Sequence, residues 1–290
     1  MTTTTASTTA SPTTGRLTGG GILRSEWIKL RTVRSTLWCF GILILLIVGI
    51  GLLIASFSDV GEGGLDGDAA RSLVVTLSTA GLNVAVLIAA VLGALIITGE
   101  YSTGMIRSTF TAAPHRTGAF TAKAVVLAVS SFVATEIGVW LAALTTWPIL
   151  SGRGVDVQLG DPSVFMPLLG GGVYVMMIAL LAFGIGAILR STAGALATVI
   201  GILLVAPVIL SILAALTQAD WIATVNAVLP QNAGAELFAY AATTPAPPTP
   251  GPAPVASGLD LDGWGGFGVL AAWDAVVLVI ALVLVKRRDA

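Results

Sequence analysis

Six stretches of almost uninterrupted apolar residues dominate the chain, and polar or glycine-rich segments separate them. They lie at about residues 38–57, 79–98, 124–147, 167–189, 195–216 and 267–285. Each holds about 20 residues or slightly more, the length that an α-helix needs to cross roughly 30 Å of hydrocarbon. The pattern therefore predicts an all-α polytopic membrane protein with six transmembrane helices.

Positive charge is distributed unevenly between the two sides of these predicted spans. If the N-terminus lies in the cytoplasm, 12 of the 14 Lys and Arg residues fall in inner segments, and only Arg71 and Arg153 fall outside. Positively charged loops are retained on the cytoplasmic side and so set the orientation of a membrane protein. We therefore expect both termini to be cytoplasmic.

The segments between the spans differ in composition. Residues 1–20, rich in Thr, Ser and Gly, are expected to form a disordered cytoplasmic tail, and residues 21–290 a single six-helix domain. The longest outer segment begins with a half-apolar part that favours short helices interrupted at Pro230. It continues in a Pro-rich external loop at 241–258, whose composition favours an extended chain.

Residues 21–37, just before the first span, have an amphipathic pattern. On a helical wheel Leu23, Trp27 and Leu30 share a broad apolar face that is backed by basic residues, although Glu26 interrupts the pattern. Such a face favours a helix that lies in the inner headgroup region in contact with membrane lipid. The alternative is an ordinary basic anchor next to the membrane.

Composition excludes several classes of protein. The chain is 56% hydrophobic and 10% charged, with a mean hydropathy of +0.96, which excludes an ordinary soluble domain. Single copies of Cys39 and His115 exclude an intrachain disulfide and a multi-histidine metal site. No phosphate-binding loop of the G-x-x-x-x-G-K-[ST] type and no basic stripe occur, so we expect no enzyme activity, cofactor or nucleic-acid binding.

Two acidic residues lie within predicted spans. Glu136 is near the middle of the third span, and Asp274 lies in the outer part of the sixth, and no Lys or Arg lies within a span to pair with them. Acids at this depth are costly and are therefore candidates for a substrate path or a proton site. The alternative is that they form polar contacts between helices.

Four segments, in order, resemble the membrane subunit of type-2 ABC exporters, the ABC-2 permease family. They are SEWIKLRTVRSTLW at 25–38, GEYSTGMIRSTFTAAPHR at 99–116, GIGAILRSTAGAL at 184–196 and LPQNAGAEL at 229–237. The resemblance implies a permease of the bacterial plasma membrane that forms the translocation path. It also implies dimerisation with a second permease subunit, and a separate ABC ATPase as partner.

In that family a short helix in the first inner loop presses on the ATPase. In this chain Tyr101, Met105 and Ile106 would form the apolar face of such a helix, with Arg107 at its rim. Two other functions stay open from the residues alone. One is a proton-coupled secondary transporter that uses Glu136 and Asp274, and the other is a non-transporting immunity or scaffold protein.

Overall fold

The computed structural model describes residues 19–58, 65, 67–104, 116–155, 158–241, 259 and 261–287. These residues fold into helices joined by short turns. In chain order the helices are α1 Gly19–Thr32, α2 Arg34–Phe57, α3 Gly67–Thr79, α4 Leu82–Ser102, α5 Arg116–Ser151, α6 Pro162–Leu189, α7 Thr192–Ile200, α8 Ala206–Thr217, α9 Asp220–Ala227, α10 Pro230–Ala235 and α11 Gly263–Arg287.

Six helical segments in the described part of the chain are long and apolar enough to cross a membrane. They are α2, α3 with α4, α5, α6, α7 with α8, and α11. The predicted all-α fold with six spans is therefore confirmed, with a further helix, α1, before the first span. The orientation of the termini stays a prediction, and the tail before residue 19 and the Pro-rich loop at 242–258 lie outside the described residues.

Several helix boundaries differ from the sequence pattern, and two of these differences change its interpretation. The second span begins at Gly67 rather than near residue 79, because α3 carries Asp68 and Arg71 in its first turns and so is not apolar enough to be recognised. The amphipathic helix ends at Thr32, because Val33 is extended (φ −79°, ψ 107°) and breaks the helix before α2. A single helical wheel therefore does not apply to residues 21–37.

Helix α6 lies at the centre of the bundle, in contact with α4, α5 and α11. Most of its residues are buried. Small residues allow the neighbours to come close: at Gly93 of α4, a Cβ atom would overlap the backbone carbonyl of Ala179 on α6. This close packing fixes the position of α4 and therefore of its last turn, where the candidate site lies.

The turn after α6 is tight. Arg190 ends α6 in a left-handed conformation (φ 52°), and the Ser191 hydroxyl then caps α7 by accepting from the backbone of Gly194 at 3.3 Å. Between α7 and α8 the chain forms a π-helical turn, Gly201–Val205, just before Pro207. Proline lacks the backbone donor of a regular α-helix, which accounts for the irregular turn at this point.

Candidate functional site

Four charged side chains from three helices meet where α4 ends and α5 begins. Glu26 and Lys29 come from α1, Glu100 from α4 and Lys123 from α5. Lys123 Nζ lies 2.7 Å from Glu26 Oε2 and 2.6 Å from Glu100 Oε1. Lys29 Nζ lies 2.7 Å from Glu26 Oε1 and 3.5 Å from Glu100 Oε1. We call this group the ion cluster.

The ion cluster is largely removed from water. Glu26 is 4% exposed, and Glu100 and Lys123 are each 7% exposed. A buried charge is costly unless it is paired and hydrogen-bonded. Here two carboxylates face two ammonium groups, so the charges sum to zero and each carboxylate receives a hydrogen bond from Lys123. The cluster therefore joins α1, α4 and α5 through interactions that none of the three helices satisfies alone.

The pKa shifts on α1 favour the charged forms of Glu26 and Lys29. Burial would raise the pKa of Glu26, but the charges and hydrogen bonds of Lys123 and Lys29 outweigh it, and its pKa lies below the ordinary 4.5. Burial would lower the pKa of Lys29, but hydrogen bonding and the negative charges of Glu26 and Glu100 raise it above the ordinary 10.5. Both side chains are therefore ionised at neutral pH.

Sequence reasoning missed this cluster. It treated Glu26 as an interruption of the apolar face of α1, whereas Glu26 faces the protein interior. Leu23 and Trp27, which define the predicted lipid face, are 38% and 42% exposed, and Leu30 is half-buried. One signal was present: Glu26 lies three residues before Lys29, a spacing that places two side chains on one side of a helix. Contact of this face with lipid stays a prediction.

The predicted coupling loop begins directly after the cluster. The Tyr101 ring, next to Glu100, lies under the Arg190 guanidinium at 5.0 Å from the ring centroid, within the range of a cation–π interaction. The hydroxyls of Thr98 and Thr192 lie 3.0 Å apart. These contacts join the end of α4 to the turn between α6 and α7.

Met105, Ile106 and Arg107 lie outside the described residues. The apolar helix face that the sequence predicts for them therefore stays a prediction. The described helix ends at Ser102 and Arg116 show which two helices the segment joins, namely α4 and α5.

The two acids within the spans have different surroundings. Trp140 Nε1 donates to Glu136 Oε2 at 3.0 Å, and Oε1 lies against the backbone of Gly172 on α6, where a Cβ atom would overlap it. Asp274 is 7% exposed, and its Oδ2 has no hydrogen-bond partner among the described residues. Each acid therefore has one buried oxygen without a hydrogen-bond partner among the described residues, Glu136 Oε1 and Asp274 Oδ2, but Glu136 also accepts the hydrogen bond of Trp140.

Residues 22–207 match the family model described as "ABC-2 family transporter protein". The match covers close to two thirds of the chain and includes the ion cluster, the predicted coupling loop and Glu136. No curated protein matches the chain at a significant level.

Proposed function

The chain belongs to the ABC-2 transporter family, and on that premise we propose that it is the permease subunit of an exporter driven by a separate ATPase chain. As a member with six apolar helices, it is a multi-pass membrane permease of an ABC transporter. The ATPase partner, a second permease subunit, outward transport of an apolar or amphipathic substrate and the bacterial plasma membrane are the proposed parts. ABC-2 permeases generally work with an ATPase subunit.

The observation that carries the proposal is the ion cluster. The sequence contains no nucleotide-binding loop, so the energy of ATP hydrolysis must arrive through contact with another protein. Such a contact lies on the cytoplasmic side, where the predicted orientation places residues 103–115. The cluster connects the two helices that flank this segment, through Glu100 in the last turn of α4 and Lys123 two turns into α5, to each other and to α1.

The ion cluster has a mechanical consequence. A force on residues 103–115 acts on α4 and α5 together, because Lys123, two turns into α5, is paired with Glu100 near the end of α4, and α1 moves with them through Glu26. Since α4 and α5 both pack on α6, a displacement at the loop reaches the centre of the bundle. Packed helices transmit such displacements because protein interiors are close-packed and deform little.

A groove on the ATPase would accept a few apolar anchors from the loop, which we assign to Met105 and Ile106. Contacts of this kind depend on a small number of buried side chains, while charged residues at the rim contribute less. Arg107 takes the rim position. The short turn at Arg190 offers no comparable length of chain.

The test is copurification of the proposed partner ATPase with Met105→Asp, Ile106→Asp and Arg107→Ala variants. We expect each aspartate variant to lower association, or substrate-stimulated ATP hydrolysis, by at least about tenfold, which corresponds to about 1.4 kcal/mol. Arg107→Ala should have a smaller effect. Val225→Asp is the matched control, since Val225 is 40% exposed on α9, at the predicted outer side.

Full association and full hydrolysis in both aspartate variants would contradict the coupling role. If no ATPase copurifies with the wild-type chain, the ATP-driven exporter itself is contradicted.

A second function is favoured by the buried Asp274 oxygen that has no partner among the described residues. A carboxyl group in this state suits a proton-coupled secondary transporter. This function predicts uptake or export in proteoliposomes that follows an imposed proton gradient without any ATPase. Asp274→Asn should abolish that transport, whereas ATP-driven export should survive it. A protein that moves nothing under either condition would fit the immunity or scaffold interpretation.

A further inference from the structure

A cavity of about 540 Å³ opens beside the ion cluster, between α1, α2, α4 and α5. This volume lies within the roughly 300–1,000 Å³ that is typical of sites for small ligands. One end of the cavity is polar and the other is apolar. Its polar end includes Lys29, Ser35 and Thr103, and its apolar part includes Cys39, Leu92 and Ile96.

The polar end lies where the membrane surface is expected. α1 ends at Thr32, and the first span begins at Arg34. Cys39 lies five residues further along α2, which at 1.5 Å per residue is roughly 8 Å deeper. The cavity therefore has the polarity gradient of a lipid in the surrounding leaflet, with its headgroup at the surface and its acyl chain inside.

The cavity is open towards the lipid. Val33 and Leu95 line it, and they are 48% and 41% exposed. Large apolar side chains at an opening are stable in contact with hydrocarbon but unfavourable in water. A molecule that enters here therefore comes from the membrane.

All four residues of the ion cluster line the cavity, but only Lys29 is substantially exposed. The Lys29 side chain is 38% exposed, whereas those of Glu26, Glu100 and Lys123 are 4%, 9% and 8% exposed. An ammonium group has three donors. Glu26 and, at 3.5 Å, Glu100 receive two from Lys29, which leaves the third for a ligand.

Two further cations lie on the same part of the chain. Arg31 and Arg34, two and five residues after Lys29, are exposed, although neither lines the cavity. Within the cavity Lys29 is therefore the exposed charge, while its carboxylate partners Glu26 and Glu100 are buried.

We propose that this cavity binds an anionic phospholipid of the surrounding leaflet, with the phosphate at Lys29 and an acyl chain along Cys39, Leu92 and Ile96. The phosphate is the anion that the accessible ammonium and the Ser35 hydroxyl suit. The acyl chain fills the apolar part, which a free phosphate would leave empty. Anionic lipids are concentrated in the cytoplasmic leaflet, where the predicted orientation places this end. The inference does not depend on transport or on an ATPase.

Cys39 provides the probe, because it is the only cysteine of the chain and it lines the cavity. The full chain is placed in nanodiscs of phosphatidylcholine alone or of phosphatidylcholine with phosphatidylglycerol. The rate of Cys39 alkylation by uncharged N-ethylmaleimide is followed by mass spectrometry. We expect alkylation to be about tenfold slower with phosphatidylglycerol, which corresponds to a site that is roughly nine-tenths filled.

Two variants test whether the lipid binds in the cavity or is attracted by the surrounding surface charge. Lys29→Gln removes the accessible cation, while Lys123 still pairs with Glu26 and Glu100. It should alkylate at the same rate in both nanodiscs. Arg31→Gln is the matched control, because it removes the same charge from the same helix but does not line the cavity. It should keep the protection of the wild type.

A second, independent measurement uses the wild type alone. Native mass spectrometry after release from the mixed lipids should show phosphatidylglycerol retained in preference to phosphatidylcholine. The proposal is wrong if alkylation does not depend on the lipid, or if Lys29→Gln keeps its protection. It is also wrong if Arg31→Gln loses protection equally, which would indicate diffuse surface attraction. Equal protection by inorganic phosphate in phosphatidylcholine discs would identify a free-anion site instead.

Discussion

Replacing Lys123 by methionine removes the cation that lies between Glu26 and Glu100 and keeps a side chain of similar length. Because the two carboxylates are 4% and 7% exposed, water cannot replace the lost partner. Only Lys29 remains, and its contact with Glu100 is the long one at 3.5 Å. Removal of one partner from a buried ion pair costs about 3–5 kcal/mol. We expect a loss of this size in the free energy of unfolding.

The matched comparison is Lys29→Gln, which also removes one positive charge from the cluster. The Lys29 side chain is 38% exposed, and both carboxylates keep Lys123. Exposed ion pairs contribute about 0–1 kcal/mol. At about 2–4 °C per kcal/mol for large domains, Lys123→Met should lower the Tm by about 6–20 °C. Lys29→Gln should lower it by at most about 4 °C.

The assay is thermal unfolding in detergent, followed by tryptophan fluorescence and by size-exclusion chromatography of heated samples. Lys286→Met serves as the control, because Lys286 is exposed at the end of α11, and it should leave the Tm unchanged. Adding Glu26→Gln to Lys123→Met should cost less than the sum of the two single changes, since it removes an unpaired carboxylate. Equal shifts for Lys123→Met and Lys29→Gln would refute the reasoning from burial.

Three further predictions concern other parts of the molecule. In a cysteine-free background, Ser58→Cys should react from outside with an impermeant maleimide and Ser191→Cys should not; the opposite result would overturn the predicted orientation. Glu136→Gln should fold normally, because it keeps an acceptor for Trp140. Glu136→Leu should lower the free energy of unfolding by about 1–3 kcal/mol, because it leaves the indole N–H of Trp140 without an acceptor. Equal thermal unfolding of the two variants would contradict the hydrogen-bond argument. Because the pKa of Glu26 is lower in the folded state, its stabilisation is complete above about pH 4.5 and is lost as the pH falls through the lowered value. Glu26→Gln should therefore flatten the pH dependence of stability below 4.5, and a dependence like that of the wild type would show that Glu26 is not the group responsible.

The transmembrane segments could be predicted because their signal is local. A run of about 20 apolar residues can cross the bilayer as an α-helix independently of the other segments, because it is long enough and its backbone hydrogen bonds lie within the helix. The four family-like segments are likewise contiguous, and the family match covers three of them completely. The boundaries at Gly67 and Val33 were missed, because α3 begins with polar residues and because a helical wheel carries no information on where a helix breaks.

The sequence by itself therefore determined the six apolar spans, the asymmetry of positive charge and the likeness to ABC-2 permeases. Only the tertiary structure decided which charges meet. Glu26 and Lys123 are 97 positions apart, and their pairing depends on the break between α1 and α2 at Val33 and on the packing of α1 against α5. The sequence shows that a charged side chain needs a partner if it is buried, but the packing of whole helices determines which residue that partner is. The cavity beside Lys29 arises in the same way, as the space that four packed helices leave between them.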